Sequence, residues 1–406
     1  MKRIDGHIET LAQYTSTIDK GVTRIVYTEE DKKAKAYLKK LMEELSLAIH
    51  EDQIGNIFGV WEGSAPNLPQ VWVGSHSDAP TNGGKFDGVV GLIAALESIR
   101  ILKSQGFQPV CDIVVVIFAA EEPTRFGIGC IGSRALLGMI KESDFDSWVD
   151  ETNRTLREVL LENNKDPVRV LDESLKPDRI KSFVELHIEQ AVVLEREKAV
   201  IGLVDVIAAP TEIQLVIHGE QRHAGSTPMD LRKDPVPAAS EVVLLVEELT
   251  KQNSTSVGTV GKMTIKPGTS NVIAEKVELS IDIRDINKEI KDSIVLKMKQ
   301  EVSKIMAKRG LFYNWEVKGD DFPSKMDEAN LQVIQQITER LELPYKVMPS
   351  GAYHDALIMS RKVRTNLIFV PSKEGISHAP EEFTSTEEIT SGIKVLTEFL
   401  KELSYS

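Results

Sequence analysis

Residues 112–120 read DIVVVIFAA, an unbroken apolar and largely β-branched run bounded by charge. A strand with one wet face alternates apolar and polar residues, so a strand that is apolar throughout belongs in the middle of a sheet covered on both faces. The flanking segments fit that frame. Residues 31–45 place Ala34, Leu38, Leu41, Met42 and Leu45 on one helical stripe, followed by a strand at Ile57–Trp61. Residues 71–73 form a short buried strand, and a helix begins at Asp87 with Val89, Leu92, Ile93, Leu96 and Ile99 at helical spacing until Gly106 stops it. Residues 183–188 and 367–370 supply further strands. Strands alternating with helices predict an α/β fold, a mixed central sheet covered by helices.

The pattern changes near Thr211. The order becomes strand (213–217), helix (Pro235–Thr250), strand (257–265), strand, helix (288–308) and strand (311–317). In the fourth element Val277, Leu279, Ile281 and Ile283 alternate with polar residues, so this sheet buries only one face. A β-α-β-β-α-β order is ferredoxin-like. The 406 residues are enough for two or three domains. We expect two: residues 1–210 with 326–406, and an inserted domain at 211–325.

Composition narrows the partners. With 49 Lys+Arg against 62 Asp+Glu the net charge is −13, which repels phosphate backbones and anionic lipid heads. Neither nucleic acid nor membrane is an expected partner. No apolar stretch approaches the roughly 18 residues that span a bilayer, and the opening MKRIDGHIETLA lacks the apolar core of a signal peptide. The expected address is cytoplasmic. Cys111 and Cys130 lack zinc-knuckle spacing and are too few for a disulfide framework, so both are read as buried thiols.

Acids and imidazoles gather where strands end, which is where open α/β sheets keep their ligand crevice. His76 and Asp78 stand in GSHSD, Asp87 in NGGKFDG, Glu121 and Glu122 after the long strand, His187 in FVELHIEQ and His378 in SHAPEE. Singly, each has a bland reading. A lone histidine is usually a satisfied polar residue, an aspartate at a helix start is usually a cap, and a Glu-Glu pair is usually a wet strand end. Jointly, three histidines and two carboxylates at one sheet edge fit a two-metal site in which one carboxylate bridges ions about 3.5–4 Å apart. Adjacent side chains at a strand end diverge, so one of Glu121 and Glu122 can ligate metal while the other moves protons. His7, His50 and His218 have no such partners and are set aside.

The motifs GSHSD, NGGKFDGVVG, FAAEEPTRFG, ELHIEQ, RHAGSTPMDLRKDP, SNVIAEKVELSIDIRD, SGAYHDA and SHAPEE occur in this order from about residue 20 to 403. Together they resemble the metal-dependent N-carbamoyl amidohydrolases: N-carbamoyl-L-amino-acid hydrolases, allantoate and ureidoglycolate amidohydrolases and β-ureidopropionase. That group lies within the aminoacylase and carboxypeptidase superfamily. The resemblance implies a di-metal exopeptidase-like catalytic domain and an inserted dimerisation and lid domain. It implies two divalent ions per subunit, Mn²⁺ or Zn²⁺. His76 and His187 match the ligands of the first, Glu122 and His378 those of the second, and Asp87 the bridge.

Further roles follow from the same resemblance. Asp78 matches the residue that orients His76, and Glu121 the general base. His223 matches a histidine delivered to the active site by the partner subunit of a homodimer. Gln190, Asn271, Arg284, Ala352 and Tyr353 match positions near the substrate, a small ureido carboxylate. Arg284 suits a carboxylate clamp, because a guanidinium fork binds a planar anion bidentately. The superfamily's peptidases usually carry a carboxylate at the position of His187, and the ELHIEQ context sides with the carbamoyl hydrolases. Most of those have Gly-Ala or Gly-Val after the paired glutamates and a small residue before His-Asp. Here Pro123, Thr124 and Tyr353 depart from that pattern and look most like the ureidoglycolate amidohydrolase branch.

Overall fold

The run at 112–120 becomes the strand Ile113–Phe118, buried at every position. The computed structural model describes residues 2–65 and 67–405. The chain divides into two units, Met1–Asp205 with Lys325–Ser406 and Val206–Ser324. In the first unit the strands Ile201–Ile207, Thr365–Val370, Ile180–Ile188, Gln70–His76, Ile113–Phe118, Ile57–Trp61 and Ala48–Glu51 lie side by side in that order. The four from Thr365–Val370 to Ile113–Phe118 run parallel and the flanking pairs run antiparallel. The sheet is mixed, as the α/β reading requires.

Both of its faces are covered. Val71, Val73, Ile113, Val115, Ile117, Val184 and Leu186 share a core with the helices Val89–Ser104 and Thr386–Tyr405. On the other face Trp72 meets Phe58 edge-on at 5.3 Å and Phe118 meets Phe183 at 5.6 Å. Each such buried aliphatic or aromatic side chain contributes about 1.5–3 kcal/mol, so tertiary packing holds the strand ends in place. Those ends share one edge: His76 pairs in register with Phe118, and His187 with Phe369.

One boundary differs from expectation. The helix expected to begin at Asp87 starts at Val89, with Gly88 as its N-cap at φ +64° and no side-chain cap. A Cβ on residue 88 would lie 2.6 Å from the His76 ring, so glycine serves both the turn and the close approach. Asp87 is thereby left free of capping.

The second unit holds the strands Ala209–His218, Val257–Lys266, Lys276–Asp285 and Phe312–Asp320 and the helices Pro235–Thr250 and Lys288–Arg309. Its sheet order is Val257–Lys266, Lys276–Asp285, Ala209–His218, Phe312–Asp320, with every neighbouring pair antiparallel. Ile213, Leu215, Ile217, Val277, Leu279, Ile281 and Ile283 face the two helices and form this unit's own core. The intervening residues make the second, polar face. Among the described residues no helix is long and apolar enough to cross a membrane.

Candidate metal centre

Two groups of ligand atoms meet on one carboxylate. Asp87 Oδ1 lies 3.3 Å from His76 Nε2 and 3.1 Å from His187 Nε2, while Asp87 Oδ2 lies 3.1 Å from His378 Nε2. Glu122 Oε1 stands 3.5 Å from the same His378 nitrogen. Thus His76, Asp87 and His187 form one potential ligand set and Asp87, Glu122 and His378 another. All but His378 are buried.

The tautomers suit ligation. His76 Nδ1 lies 3.0 Å from the Asp78 carbonyl and His187 Nδ1 lies 2.9 Å from the Ile188 carbonyl. A carbonyl can only accept, so both Nδ1 atoms carry hydrogen, and in the neutral rings the Nε2 lone pairs face Asp87. The Gly88 N–H donating to His187 Nε2 at 3.1 Å agrees. Glu122 Oε1 is buried and accepts no hydrogen bond, an orphan that a cation would satisfy. Imidazole nitrogens with carboxylate oxygens are a donor set that suits Zn²⁺ or Mn²⁺. The residues fit the group that the resemblance implies.

Charge is shared tightly here. Burial pushes Glu122 up to about 7, with Asp87 adding to the rise. Burial also raises Glu121 well above the carboxylate range; His76 opposes it and Glu122, Asp355 and Asp87 reinforce it. For Asp87 burial works upward too, yet His187 and the other imidazoles hold it well below its usual value. Pairing with Asp87 lifts His378 to about 9.

Glu121 and Glu122 separate. Glu121 is buried with Oε2 3.7 Å from His76 Nε2 and Oε1 3.7 Å from Cys130 Sγ, whereas Glu122 faces His378. Asp78, expected to orient His76, does so through its main chain, and its side chain anchors the backbone of this pair. Its carboxylate stays 3.8 Å from His76 Nδ1 and instead accepts from the backbone N–H groups of Glu121 (3.4 Å) and Glu122 (3.0 Å). The carbonyl of Asp78, not its side chain, orients His76. Cys111 and Cys130 are buried free thiols.

Gln190, matched to the substrate, turns its amide onto the centre. Nε2 donates to Asp87 Oδ2 at 2.7 Å and to Ser377 Oγ at 3.2 Å, and Oε1 is buried without a partner. Ala352 and Tyr353 are half-buried, and the Tyr353 hydroxyl accepts from Arg134. Sequence reasoning missed several residues of this neighbourhood. His354 packs its ring on His187 with centroids 4.5 Å apart. Glu185 accepts from Ser75 Oγ at 2.7 Å, Asp355 accepts from Ser133 Oγ at 2.5 Å, and Glu382 accepts from backbone at 86 and 87. Each lies in or beside a quoted motif, but burial alone distinguishes these residues and the sequence does not display it.

The remaining predicted residues belong to the second unit. His223 is exposed on a two-stranded ribbon with Val272, and its Nδ1 accepts from the N–H groups of Gly225 and Ser226 at 3.0 and 3.1 Å. In the neutral ring the hydrogen is then on Nε2, a free-facing donor. Asn271, also exposed, accepts at its carbonyl from Ala224 N–H at 2.9 Å, beside that histidine. Arg284 stands on the polar sheet face with its fork on Asp282, two contacts of 2.9 Å. The histidines set aside are engaged elsewhere: His7 with Tyr37 at 2.7 Å, His50 stacked on Phe58 at 4.6 Å, and His218 with Asn314 at 2.8 Å.

Comparison with known proteins gives concordant matches. The model of Peptidase family M20/M25/M40 matches residues 25–402. Ureidoglycolate hydrolase of Oryza sativa subsp. japonica is 39% identical over 98% of this chain and 83% of its own length. N-carbamoyl-L-amino-acid amidohydrolase of Pseudomonas sp. (strain NS671) is 38% identical over 98% of this chain and 97% of its own. The crystal structure of AtUAH in complex with glyoxylate superposes with a TM-score of 0.94 at 37% identity, covering 99% of this chain and 97% of that one.

Proposed function

This chain is a member of peptidase family M20/M25/M40, and from that premise we propose that it is an amidohydrolase of small ureido carboxylates, ureidoglycolate or allantoate, that releases ammonia. The observation that carries the reading is Asp87, which offers one oxygen to each of two imidazole-containing ligand sets. His76, Asp87 and His187 would hold one divalent ion, and Asp87, Glu122 and His378 a second. When bound, such ions polarise a carbonyl and lower the pKa of water from about 15.7 towards about 7.

The chain's own groups do the rest. Glu121, buried beside His76 and Cys130, takes the proton from the attacking water and later gives one to the departing nitrogen. The bond between the ureido carbon and its terminal nitrogen breaks, ammonia leaves, and the carbamic acid that remains loses carbon dioxide. The Nε2 hydrogen of His223, supplied across a homodimer, stabilises the oxyanion. Arg284 and Asn271 hold the substrate carboxylate, and Arg284 exchanges Asp282 for it. The two unpaired buried thiols suit a reducing compartment, and we place the protein in the cytoplasm.

Pro123, Thr124 and Tyr353 support ureidoglycolate, since a tyrosine tied to Arg134 narrows a pocket and adds polarity. The crystallised relative holds glyoxylate, a small carboxylate. The near-equal identity of the Pseudomonas enzyme favours a second reading, hydrolysis of N-carbamoyl-L-amino acids. A panel decides between them. Ammonia release at equal substrate concentration should be fastest from ureidoglycolate, then allantoate. A higher kcat/KM for a carbamoyl amino acid with a bulky side chain moves the assignment to the second reading, and turnover of dipeptides alone removes both.

A further inference from the structure

We infer that Glu382 is a positioning residue that sets the bridging carboxylate of Asp87 in place before any cation arrives. The inference rests on the two-cation reading above. Glu382 is 3% exposed, and a carboxylate buried that far is tolerated only when its oxygens are bonded. Its bonds gather around residue 87. Oε1 accepts from the N–H of Phe86 at 2.9 Å and from the N–H of Asp87 itself at 3.0 Å. Oε2 accepts from Ser377 Oγ at 2.8 Å, and that hydroxyl also lies 3.2 Å from Asp87 Oδ2. Gln190 Nε2 donates to the same hydroxyl. One side chain thus holds the main-chain nitrogen of residue 87 directly, and the Ser377 hydroxyl, with one hydrogen to give, stands between the two carboxylates.

The same contacts join two loops. Glu382 closes the segment that carries His378, whose neck is bonded by Lys373 N–H to the Phe383 carbonyl at 2.9 Å. His378 itself sits at φ +55°, a conformation that a non-glycine residue keeps only where its surroundings impose it. Room for the acid comes from Gly84, where an added Cβ would lie 2.0 Å from Glu382 Oε1 and 2.2 Å from its carboxyl carbon. No positive φ is recorded at Gly84, so space alone explains the glycine. A structural staple would need donors anywhere nearby. This one takes one from the residue that both ligand sets share and the others from its chain neighbour Phe86 and from Ser377 beside its carboxylate.

The test uses full-length protein stripped with EDTA, and reads two quantities: the dissociation constants for Mn²⁺ by calorimetry, and the melting temperature without metal. Glu382→Ala should weaken Mn²⁺ binding by about 10- to 100-fold, the usual cost of losing a residue that supports metal ligands. Glu382→Gln keeps an oxygen for the two amides and can bond Ser377, so it should stay within a few-fold of wild type. Gly84→Ala leaves the acid intact but displaces it, and should lose metal as Glu382→Ala does. Should Glu382→Ala fail to fold, the other two variants still decide. Wild-type Mn²⁺ constants in Glu382→Ala or Gly84→Ala, even with a lowered melting temperature, would reduce Glu382 to a structural staple and overturn the inference. A Glu382→Gln variant as weak as Glu382→Ala would also overturn it, because charge rather than bond geometry would then matter. If the wild-type chain binds no divalent ion, the two-cation reading itself fails, an outcome distinct from the others.

Discussion

In the first unit His76, Asp87, Glu122 and His187 are 1%, 4%, 6% and 1% exposed, whereas in the second His223 and Asn271 stand exposed and Arg284 is half-buried on a wet sheet face. The first set is held by burial: strand ends fixed by a double-covered sheet, carbonyls that choose each imidazole tautomer, and carboxylates with nowhere else to turn. The second is held by close sequence neighbours: two consecutive backbone N–H groups hold His223 Nδ1, and Asp282 holds the Arg284 fork. A reaction centre needs its geometry before substrate arrives. A recognition surface can be completed by the substrate. Damage to the first set should therefore abolish turnover, and damage to the second should scale it.

The largest effect is expected at Asp87, the residue common to both ligand sets. Asp87→Ala should lower ammonia release by on the order of 10⁶-fold, towards the lower limit of ordinary enzymatic acceleration, and elemental analysis should show the loss of bound metal. A variant with full metal content and measurable kcat would break the comparison at its stronger side.

Next come Glu121 and His223, one from each region. Glu121→Ala should cost about 10²- to 10⁴-fold in kcat with metal retained, and His223→Ala about 10²- to 10³-fold. If His223 serves the partner's site, the two defects complement. In a mixed dimer both lesions fall on one site and the other is whole, so mixed dimers should have about half the working sites of a wild-type dimer, and a randomly paired co-expressed pool about a quarter, assuming isologous pairing. Mixed dimers as inactive as their parents would show that His223 acts within its own chain or not at all.

The smallest effect is expected at Arg284. Arg284→Lys keeps the charge and loses the fork. KM for ureidoglycolate should rise by about tenfold, equivalent to about 1.4 kcal/mol, with kcat little changed. A collapse of kcat instead would mean that the exposed set is part of the reaction centre, and the contrast between the units would be wrong.

How much of this could be read beforehand depended on whether the signal lay in side-chain order or in the backbone. The doubly buried strand, the alternation of Val277 to Ile283 and the helix Pro235–Thr250 were legible because burial writes a period into the sequence. The short helices Ile131–Leu136, Leu156–Glu162 and Pro167–Asp172 were not, since six or seven residues span too few turns to show one. The strand Ala79–Gly83, spelled APTNG, reads as a turn by composition and is a strand only because it pairs with Val22–Arg24. At the site the same rule holds. Residue types at strand ends could be picked out, but the carbonyl that orients His76 and the amides that receive Asp78 and Glu382 are main-chain groups, which every residue carries and no sequence distinguishes.

The central claim is that two cations on either side of Asp87 make this chain a ureido amidohydrolase. It is tested most directly by stripping the protein with EDTA, confirming the loss by elemental analysis, and titrating Mn²⁺ or Zn²⁺ back while ammonia release from ureidoglycolate is recorded. The account predicts no release above background from stripped protein and a rise that saturates near two ions per chain. Full-rate release from protein shown to be metal-free, or saturation with metal and no ammonia from any ureido carboxylate, would contradict it.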